Sequence, residues 1–300
     1  MPSDPPDPDP LRCGPSLERL PADTTPDKLL DVIERDGAVV LEGVLERHVA
    51  AAIDAELASF VAARKPGFAV DGDDAFYGAN TVRIQGLAAK SPTWVRELLA
   101  HPTLLSVAEG VLTDHCGDFW LSQAETIFIG PGEPAQEMHR DDLNWATAAR
   151  LGIPLQVSVL TALGDYDAAV GATRVIPGSH RMPDDPVGGS VAVPAELGIG
   201  DSLVYVGALV HGGGANTTDD RVRKGLYQSY LVGWLTPEEA VSRSVDARLA
   251  ASLPERARRL LGWGNLRGNP TNATGAAAAL KLWQLDAGDH NVRAGVFTHR

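Results

Sequence analysis

The chain has 300 residues, 44% of them hydrophobic and 22% charged, which indicates an ordinary globular protein with one sizeable core. The formal net charge of -13 argues against nucleic acid or an anionic membrane as a partner, because phosphate groups are bound by clustered Lys and Arg. Two cysteines are too few for a disulfide framework, and neither a secretory signal nor an apolar run of the ~20 residues that span a bilayer is recognisable, so a cytoplasmic location is expected.

The N-terminal part of the chain predicts an arm followed by a folded domain. Residues 1–24 contain seven prolines and little to bury, so they are expected to form a mobile arm, with residues 25–300 as a single domain. Thr25 and Pro26 predict the start of a helix that Gly37 can end. A short buried strand follows, and then a second helix is predicted from four apolar residues at helical spacing: Val49, Ile53, Leu57 and Phe60.

Residues 64–80 have no apolar periodicity and contain three glycines and three aspartates, so they predict a long loop. Long loops in compact domains are often functional, and the aromatic pair Phe76 and Tyr77 favours a lid that faces the substrate. The alternative is that the two rings only anchor the loop. Residues 81–87 are expected to form a strand, and residues 92–112 one or two helices.

From Phe119 onward the pattern changes to short strands. Side chains alternate from Phe119 to Ile129, and four further strands are expected in the ranges 155–161, 173–176, 202–206 and 225–234. Several strands preceded by helices favour a mainly β protein with flanking helices. The expected architecture is a double-stranded β-helix, the cupin-like jelly roll, over about 119–235 with a helical buttress. Residues 236–239 are expected to cap a closing helix.

Three residues of this region are candidate metal ligands. His139 and Asp141 lie two positions apart in an extended segment and therefore point to the same side. His211, delivered from a distant strand, would complete a 2-His-1-carboxylate triad, which leaves positions on Fe(II) open for a cosubstrate and O2. A Zn(II) hydrolase could use the same three ligands. A non-catalytic jelly-roll binding module would not need them.

Three motifs follow one another in a recognisable order: His139-Arg140-Asp141, then Gly-Ala-Thr-Arg-Val-Ile-Pro-Gly-Ser-His at 171–180, then His-Gly-Gly-Gly-Ala-Asn at 211–216, followed by Arg223. In these motifs the chain resembles the phytanoyl-CoA dioxygenase family of Fe(II)/2-oxoglutarate oxygenases, over about 28–240. Within that family it is similar to the branch that oxidises secondary metabolites. The resemblance implies the jelly-roll fold and the oxidation of a small, largely hydrophobic metabolite. A homodimer remains compatible with the sequence.

The resemblance also implies roles for single residues. His139, Asp141 and His211 would bind Fe(II). Related halogenases have Gly or Ala at the position of Asp141, so oxygenation without halogenation is expected. His180 and Asn216 are expected to be structural.

The cosubstrate is expected to bind next to an arginine. A guanidinium can bind the distal carboxylate of 2-oxoglutarate with two parallel hydrogen bonds, which favours Arg223 because it opens a strand and matches the family pattern. Arg221 is the competing candidate, in a polar turn. Gln136 and Thr173 are expected to lie near the cosubstrate.

Overall fold

The computed structural model describes residues 17–67, 74–182, 192–265 and 281–283. Within them a seven-stranded sheet has the spatial order β1 (Arg19–Pro21), β2 (Ala38–Glu42), β8 (Ser202–Val206), β5 (Gln156–Ala162), β10 (Arg223–Val232), β4 (Phe119–Ile129) and β3 (Thr81–Val82). A three-stranded sheet has the order β7 (Val193–Pro194), β6 (Arg174–Val175) and β9 (His211–Gly212). A small hairpin pairs β11 (Gly264–Asn265) with β12 (Lys281–Trp283). Neighbouring strands are antiparallel, except that β1 runs parallel to β2.

The helices are short apart from three. They are α1 (Pro26–Asp36), α2 (Arg47–Ala63), α3 (Asp74–Tyr77), α4 (Pro92–Glu97), α5 (Pro102–Leu112), α6 (Ala146–Ala149), α7 (Val241–Ser244), α8 (Ala247–Ser252) and α9 (Glu255–Leu260). Short 3-10 segments lie at Leu87–Ala89, Asp141–Trp145 and Ser179–Arg181. In the described part of the chain, no helix is long and apolar enough to cross a membrane. The protein is thus mainly a β-sheet structure with flanking helices.

Helix α1 has the predicted limits, and its end explains one glycine. Gly37 has a left-handed φ of 76° and donates its N–H to the carbonyl of Ile33. A Cβ at Gly37 would lie 2.5 Å from Nδ1 of His180, so the residue must also be small. The helix end is therefore packed directly against the turn that contains His180.

The faces of strand β10 separate the helices from the candidate site. Gln228 accepts a hydrogen bond from the indole nitrogen of Trp94 on α4 at 2.8 Å. Its neighbour Tyr227 points to the opposite face and reaches Asp141. Helix α5 packs behind β5 and β10 with Leu104 and Val107 fully buried. One face of the sheet is thus covered by helices, and the other carries polar side chains.

The predicted arm ends too late in the sequence. Arg19–Pro21 already forms strand β1 beside β2, so the fold begins before Thr25. The carbonyl of Glu18 accepts the N–H of Val40 at 2.9 Å, and the Arg19 guanidinium bonds to Glu42. These bonds are made by backbone and charged groups, so the apolar pattern gives no sign of them. Residues 1–16 of the predicted arm lie outside the described residues.

Two other expectations are wrong in detail. The strand expected over 81–87 is limited to Thr81–Val82, and a 3-10 segment follows from Leu87. Residues 236–239 do not cap a helix, since α7 begins only at Val241. The Glu239 carboxylate instead accepts the N–H groups of Gly86 at 2.9 Å and Ala124 at 3.2 Å. Residues 68–73 of the predicted loop lie outside the described part of the chain.

Candidate active site

The structure brings the three candidate metal ligands together. The backbones of His139 and His211 exchange two hydrogen bonds of 2.8 and 2.9 Å, which places their imidazole rings 4.4 Å apart. Oδ1 of Asp141 lies 3.6 Å from Nε2 of His139 and 3.4 Å from Nε2 of His211. The three donor atoms lie within 4.8 Å of one another, a spacing that could hold one metal ion. Two imidazoles and one carboxylate with open positions suit Fe(II).

Backbone carbonyls orient both imidazoles in the same way. Nδ1 of His139 lies 2.9 Å from the carbonyl oxygen of Glu137, and Nδ1 of His211 lies 3.0 Å from that of Leu209. A proton on each Nδ1 donates to the carbonyl and leaves Nε2 as the free donor atom for a metal. Burial lowers the pKa of His211. At His139 burial also acts to lower the pKa, but the hydrogen bond and charge of Asp141 prevail and raise it.

The second oxygen of Asp141 is held by the seven-stranded sheet. Its Oδ2 accepts hydrogen bonds from four side chains: Ser158 at 3.0 Å, Tyr227 at 3.2 Å, and Gln156 and Tyr205 at 3.4 Å. Burial alone would raise the pKa of Asp141, but the neighbouring His211 and His139 lower it to about 2. The carboxylate is therefore ionised, with Oδ1 directed toward the imidazoles and Oδ2 fixed from behind.

The glycine run after His211 allows two backbones to approach closely. A Cβ on Gly214 would lie 2.7 Å from the carbonyl oxygen of Ala172. A Cβ on Gly171, whose φ is 91°, would lie 2.5 Å from the carbonyl oxygen of Gly214. Only glycine fits at such distances. The contact brings the segment after His211 against Thr173, which lines the same cavity as the triad.

Arg223 lies at one end of this cavity and is only 2% exposed. Its guanidinium donates to the carbonyl of Gly171 at 2.8 Å and to Oγ1 of Thr173 at 3.5 Å, and its Cζ lies 4.9 Å from the ring centre of Tyr166. Its Nε is buried without a partner, and it forms no ion pair with any residue that the structure describes. Burial lowers the pKa of Arg223. A buried cation with an unsatisfied N–H fits an anionic ligand such as a carboxylate.

The competing arginine is already paired on the surface. Arg221 binds Asp165 at 2.9 Å and Asp167 at 2.5 Å, and its side chain is 38% exposed. Both aspartates would have to be displaced before a cosubstrate could bind there. Arg223 is therefore better placed than Arg221 to bind the cosubstrate carboxylate.

Gln136 and Thr173 both lie in the cavity wall. Oε1 of Gln136 accepts the N–H of Gly213 at 3.0 Å, and its Nε2 donates to the carbonyl of Phe76 at 3.1 Å. The Thr173 hydroxyl lies 2.8 Å from the hydroxyl of Tyr166. Gln136 thus links α3 to the glycine run, while Thr173 lies beside the Arg223 guanidinium.

His180 and Asn216 lie outside the triad. Nε2 of His180 lies 3.1 Å from the carbonyl of Glu34 at the end of α1. The buried Asn216 donates to the carbonyls of Ile129 and Arg221 at 3.1 and 2.7 Å. Both side chains fix turns, as the sequence predicts.

The cavity has a volume of about 650 Å³ and extends past the triad toward α3. The ring of Phe76 lies 4.8 Å from the His139 ring, and the ring of Tyr77 lies 5.2 Å from that of Phe76. Both predicted substrate residues therefore line the cavity next to a candidate metal ligand. The sequence did not single out the polar residues of the same wall, which include Arg83, Gln123, Glu125, Asn144 and Glu238.

The family model described as "Phytanoyl-CoA dioxygenase (PhyH)" matches residues 33–225. The chain belongs to the phytanoyl-CoA dioxygenase family. Among curated relatives, it is 32% identical over 279 residues to Dioxygenase aneA of Aspergillus aculeatus, with 90% of this chain and 91% of the relative covered. It is also 32% identical over 270 residues to the iron/alpha-ketoglutarate-dependent dioxygenase okaE of Penicillium ochrochloron, with 87% and 88% covered. The family and the enzyme class predicted from the sequence are confirmed.

A solved structure shares the fold at lower identity. The non-heme alpha-ketoglutarate-dependent epimerase SnoN from nogalamycin biosynthesis superposes with a TM-score of 0.57 at 22% identity, covering 87% of this chain and 98% of SnoN. The two proteins therefore share a fold.

Proposed function

We propose that this chain is an Fe(II)- and 2-oxoglutarate-dependent dioxygenase that oxidises a small organic molecule in natural-product biosynthesis. His139, Asp141 and His211 would hold the metal. The observation that carries the proposal is the buried Arg223, whose Nε has no partner among the described residues and which lines the same cavity as the three ligands. A Zn(II) hydrolase has no use for such a cation. A binding module would need neither the cation nor the triad.

Each residue's proposed role in catalysis follows from its position in the cavity. Fe(II), 2-oxoglutarate and O2 supply an oxidative decarboxylation of the cosubstrate to succinate and CO2, coupled to substrate oxidation. Arg223 would bind the distal carboxylate of 2-oxoglutarate with Thr173 beside it, in a site from which water is excluded. Asp141 contributes one ionised oxygen, because its other oxygen is held by the sheet. The aromatic pair at Phe76 limits access on the substrate side.

The proposal also covers the way in which the two sheets are combined in the fold. We assign the two sheets to a double-stranded β-helix of the cupin-like jelly-roll type, within one domain. Two contacts support this assignment. Tyr205 on β8 lies 3.2 Å from His211 on β9, and Arg223 on β10 reaches Gly171 just before β6. The first contact joins side chains of the two sheets, and the second joins the seven-stranded sheet to the segment that leads into β6.

The test uses the purified chain without oxygen. Adding 2-oxoglutarate to the Fe(II)-loaded protein is expected to give a weak charge-transfer absorption, and admitting air is expected to give succinate. His139→Ala and His211→Ala each remove one of three protein ligands, so both signals should be lost. Metal binding without succinate formation would favour a binding module. Activity with Zn(II) alone would favour a hydrolase. A mass screen of metabolites for the gain of one oxygen or loss of two hydrogens would then identify the substrate.

A further inference from the structure

The two ends of the cavity differ in chemistry, and strand pairing shows where each end lies. On β4, four residues line the cavity: Gln123, Glu125, Ile127 and Ile129. Ile129 pairs with Arg223, Glu125 with Tyr227, and Gln123 with Ser229. Arg223 and Gln123 are thus six strand residues apart, or about 20 Å at ~3.3 Å per residue. Since Tyr227 reaches Asp141, the triad lies between the two ends.

At the level of the triad, where Glu125 pairs with Tyr227, the cavity wall contains a buried ion pair. Arg83 binds Oε1 of Glu125 and donates through Nε to the carbonyl of Tyr77 at 3.2 Å. Glu125 is 3% exposed, and its Oε2 is buried without a hydrogen-bond partner in the described part of the chain. Burial raises the pKa of Glu125, against the lowering effect of Arg83.

A second carboxyl group, Glu238, lies at the end away from Arg223, beside Ser122 and Gln123 of β4. Glu238 accepts hydrogen bonds from the Asn144 amide at 2.9 Å and from the Ser122 hydroxyl at 3.3 Å, and it pairs with no cation among the described residues. Asn144 lies three residues after Asp141, in the same 3-10 segment. Glu238 and Asn144 both face the cavity and remain accessible. Each Glu238 oxygen has one donor and can accept another.

At this end the Glu238 carboxylate faces the cavity without a cation partner among the described residues. Nε and Nη1 of Arg83 donate to Tyr77 and Glu125, and the Asn144 amide donates to Glu238. Gln123 lines the same wall, half-buried. We propose that Glu238 and Gln123 form a specificity subsite for a substrate that carries an O–H or N–H group. This adds a hydrogen-bond donor to the largely hydrophobic metabolite expected from the sequence, and it rests on the proposed function, because that function places the substrate here.

The test compares three probes that share one ring system: 1-naphthalenemethanol, 1-naphthylmethylamine and 1-methylnaphthalene. Binding to the anaerobic Fe(II)- and 2-oxoglutarate-loaded protein is followed by naphthalene fluorescence. The alcohol, the amine or both should bind about 2- to 10-fold more tightly than the methyl compound, the range of one net hydrogen bond. Tighter binding by the alcohol alone would point to a neutral donor, and by the amine alone to a cationic one. Equal or weaker binding of both polar probes would overturn the proposal.

Two variants localise the preference. Glu238→Leu and Gln123→Leu should each bring the polar probes closer to the methyl compound, while the exposed Glu46→Gln serves as a matched control. Both variants should keep the affinity for 2-oxoglutarate, which also reports that they are folded. A preference that persists in both variants would refute the subsite. If the Fe(II)-loaded wild-type protein gives no charge-transfer absorption with 2-oxoglutarate, the proposed function itself is refuted. The two failures are therefore distinguishable.

Discussion

Tyr227 donates its hydroxyl to Oδ2 of Asp141 at 3.2 Å, although 86 residues separate the two in sequence. Oδ1 of the same carboxylate faces the two imidazoles at 3.4 and 3.6 Å. The seven-stranded sheet therefore decides which oxygen of Asp141 is available to a metal. Groups that orient metal ligands in this way influence affinity almost as strongly as the ligands themselves.

Tyr227→Phe removes this hydroxyl and keeps the ring. Fe(II) affinity is expected to fall by about 10-fold, the lower end of the range for such positioning groups, because one of the four donors that hold Oδ2 of Asp141 is lost. Anaerobic Fe(II) titration measures the change. Tyr230→Phe is the matched control on the same strand, since its hydroxyl bonds to the carbonyl of Leu99 at 3.0 Å. An equal loss of affinity in both variants would point to general destabilisation of β10.

Arg223→Lys keeps the positive charge but loses the planar pair of donors. Apparent 2-oxoglutarate affinity should fall by about 1–3 kcal/mol, the range for a hydrogen bond to a charged group. Titration of the charge-transfer absorption provides the measurement. Arg221→Lys is the control and should change little, because that side chain is exposed and paired with Asp165 and Asp167. If Arg221→Lys weakens cosubstrate binding and Arg223→Lys does not, the assignment of the two arginines must be exchanged.

Features that depend on local chemistry could be predicted from the sequence. The limits of α1 follow from Thr25 with Pro26 at its start and Gly37 at its end. The extent of β4 follows from alternating side chains, and the two-residue spacing of His139 and Asp141 places both beside one site. Each of these signals lies within a few residues of the feature that it predicts.

Features that depend on distant partners could not be predicted in this way. The four donors to Asp141 come from β5, β8 and β10, and only the fold brings them to one atom. Strand β1 is held by backbone bonds to β2, which leave no apolar pattern. The sequence of β4 does contain one signal of the cavity. Gln123 and Glu125 lie on the same face of β4 as Ile127, and polar residues on an inward face indicate a lined cavity.

Metal affinity should depend on pH through His139. Its pKa is raised, whereas that of His211 is lowered by burial and that of Asp141 lies near 2. A proton on Nε2 competes with the metal, so the group with the raised pKa is protonated first as pH falls. Fe(II) affinity is therefore expected to be constant above the pKa of His139 and to decrease by up to ~10-fold per pH unit below it. Anaerobic titrations between about pH 5.5 and 8 test the sign. Affinity that rises on acidification would contradict it.

Helix α3 places an aromatic wall next to the triad. The Phe76 ring packs edge-on against the His139 ring, with their centres 4.8 Å apart. The backbone carbonyl of Phe76 accepts a hydrogen bond from the Gln136 amide. The Tyr77 ring has the guanidinium of Arg83 5.2 Å from its centre. The wall thus connects the metal site to the polar end of the cavity. A wall in this position would exclude water from the oxidation and hold the substrate close to the metal.

Phe76→Ala and Tyr77→Ala should each weaken substrate binding or alter the products. More 2-oxoglutarate should be consumed per oxidised product, because the oxidation is no longer confined to a positioned substrate. Affinities for Fe(II) and 2-oxoglutarate should change by less than about 2-fold, since neither side chain is proposed to bind them. Parallel assays of succinate and product give the coupling ratio. Phe60→Ala, on an exposed part of α2, is the matched control. If both variants are folded and keep the wild-type ratio and products, the two rings only anchor α3, and the substrate contacts lie elsewhere in the cavity.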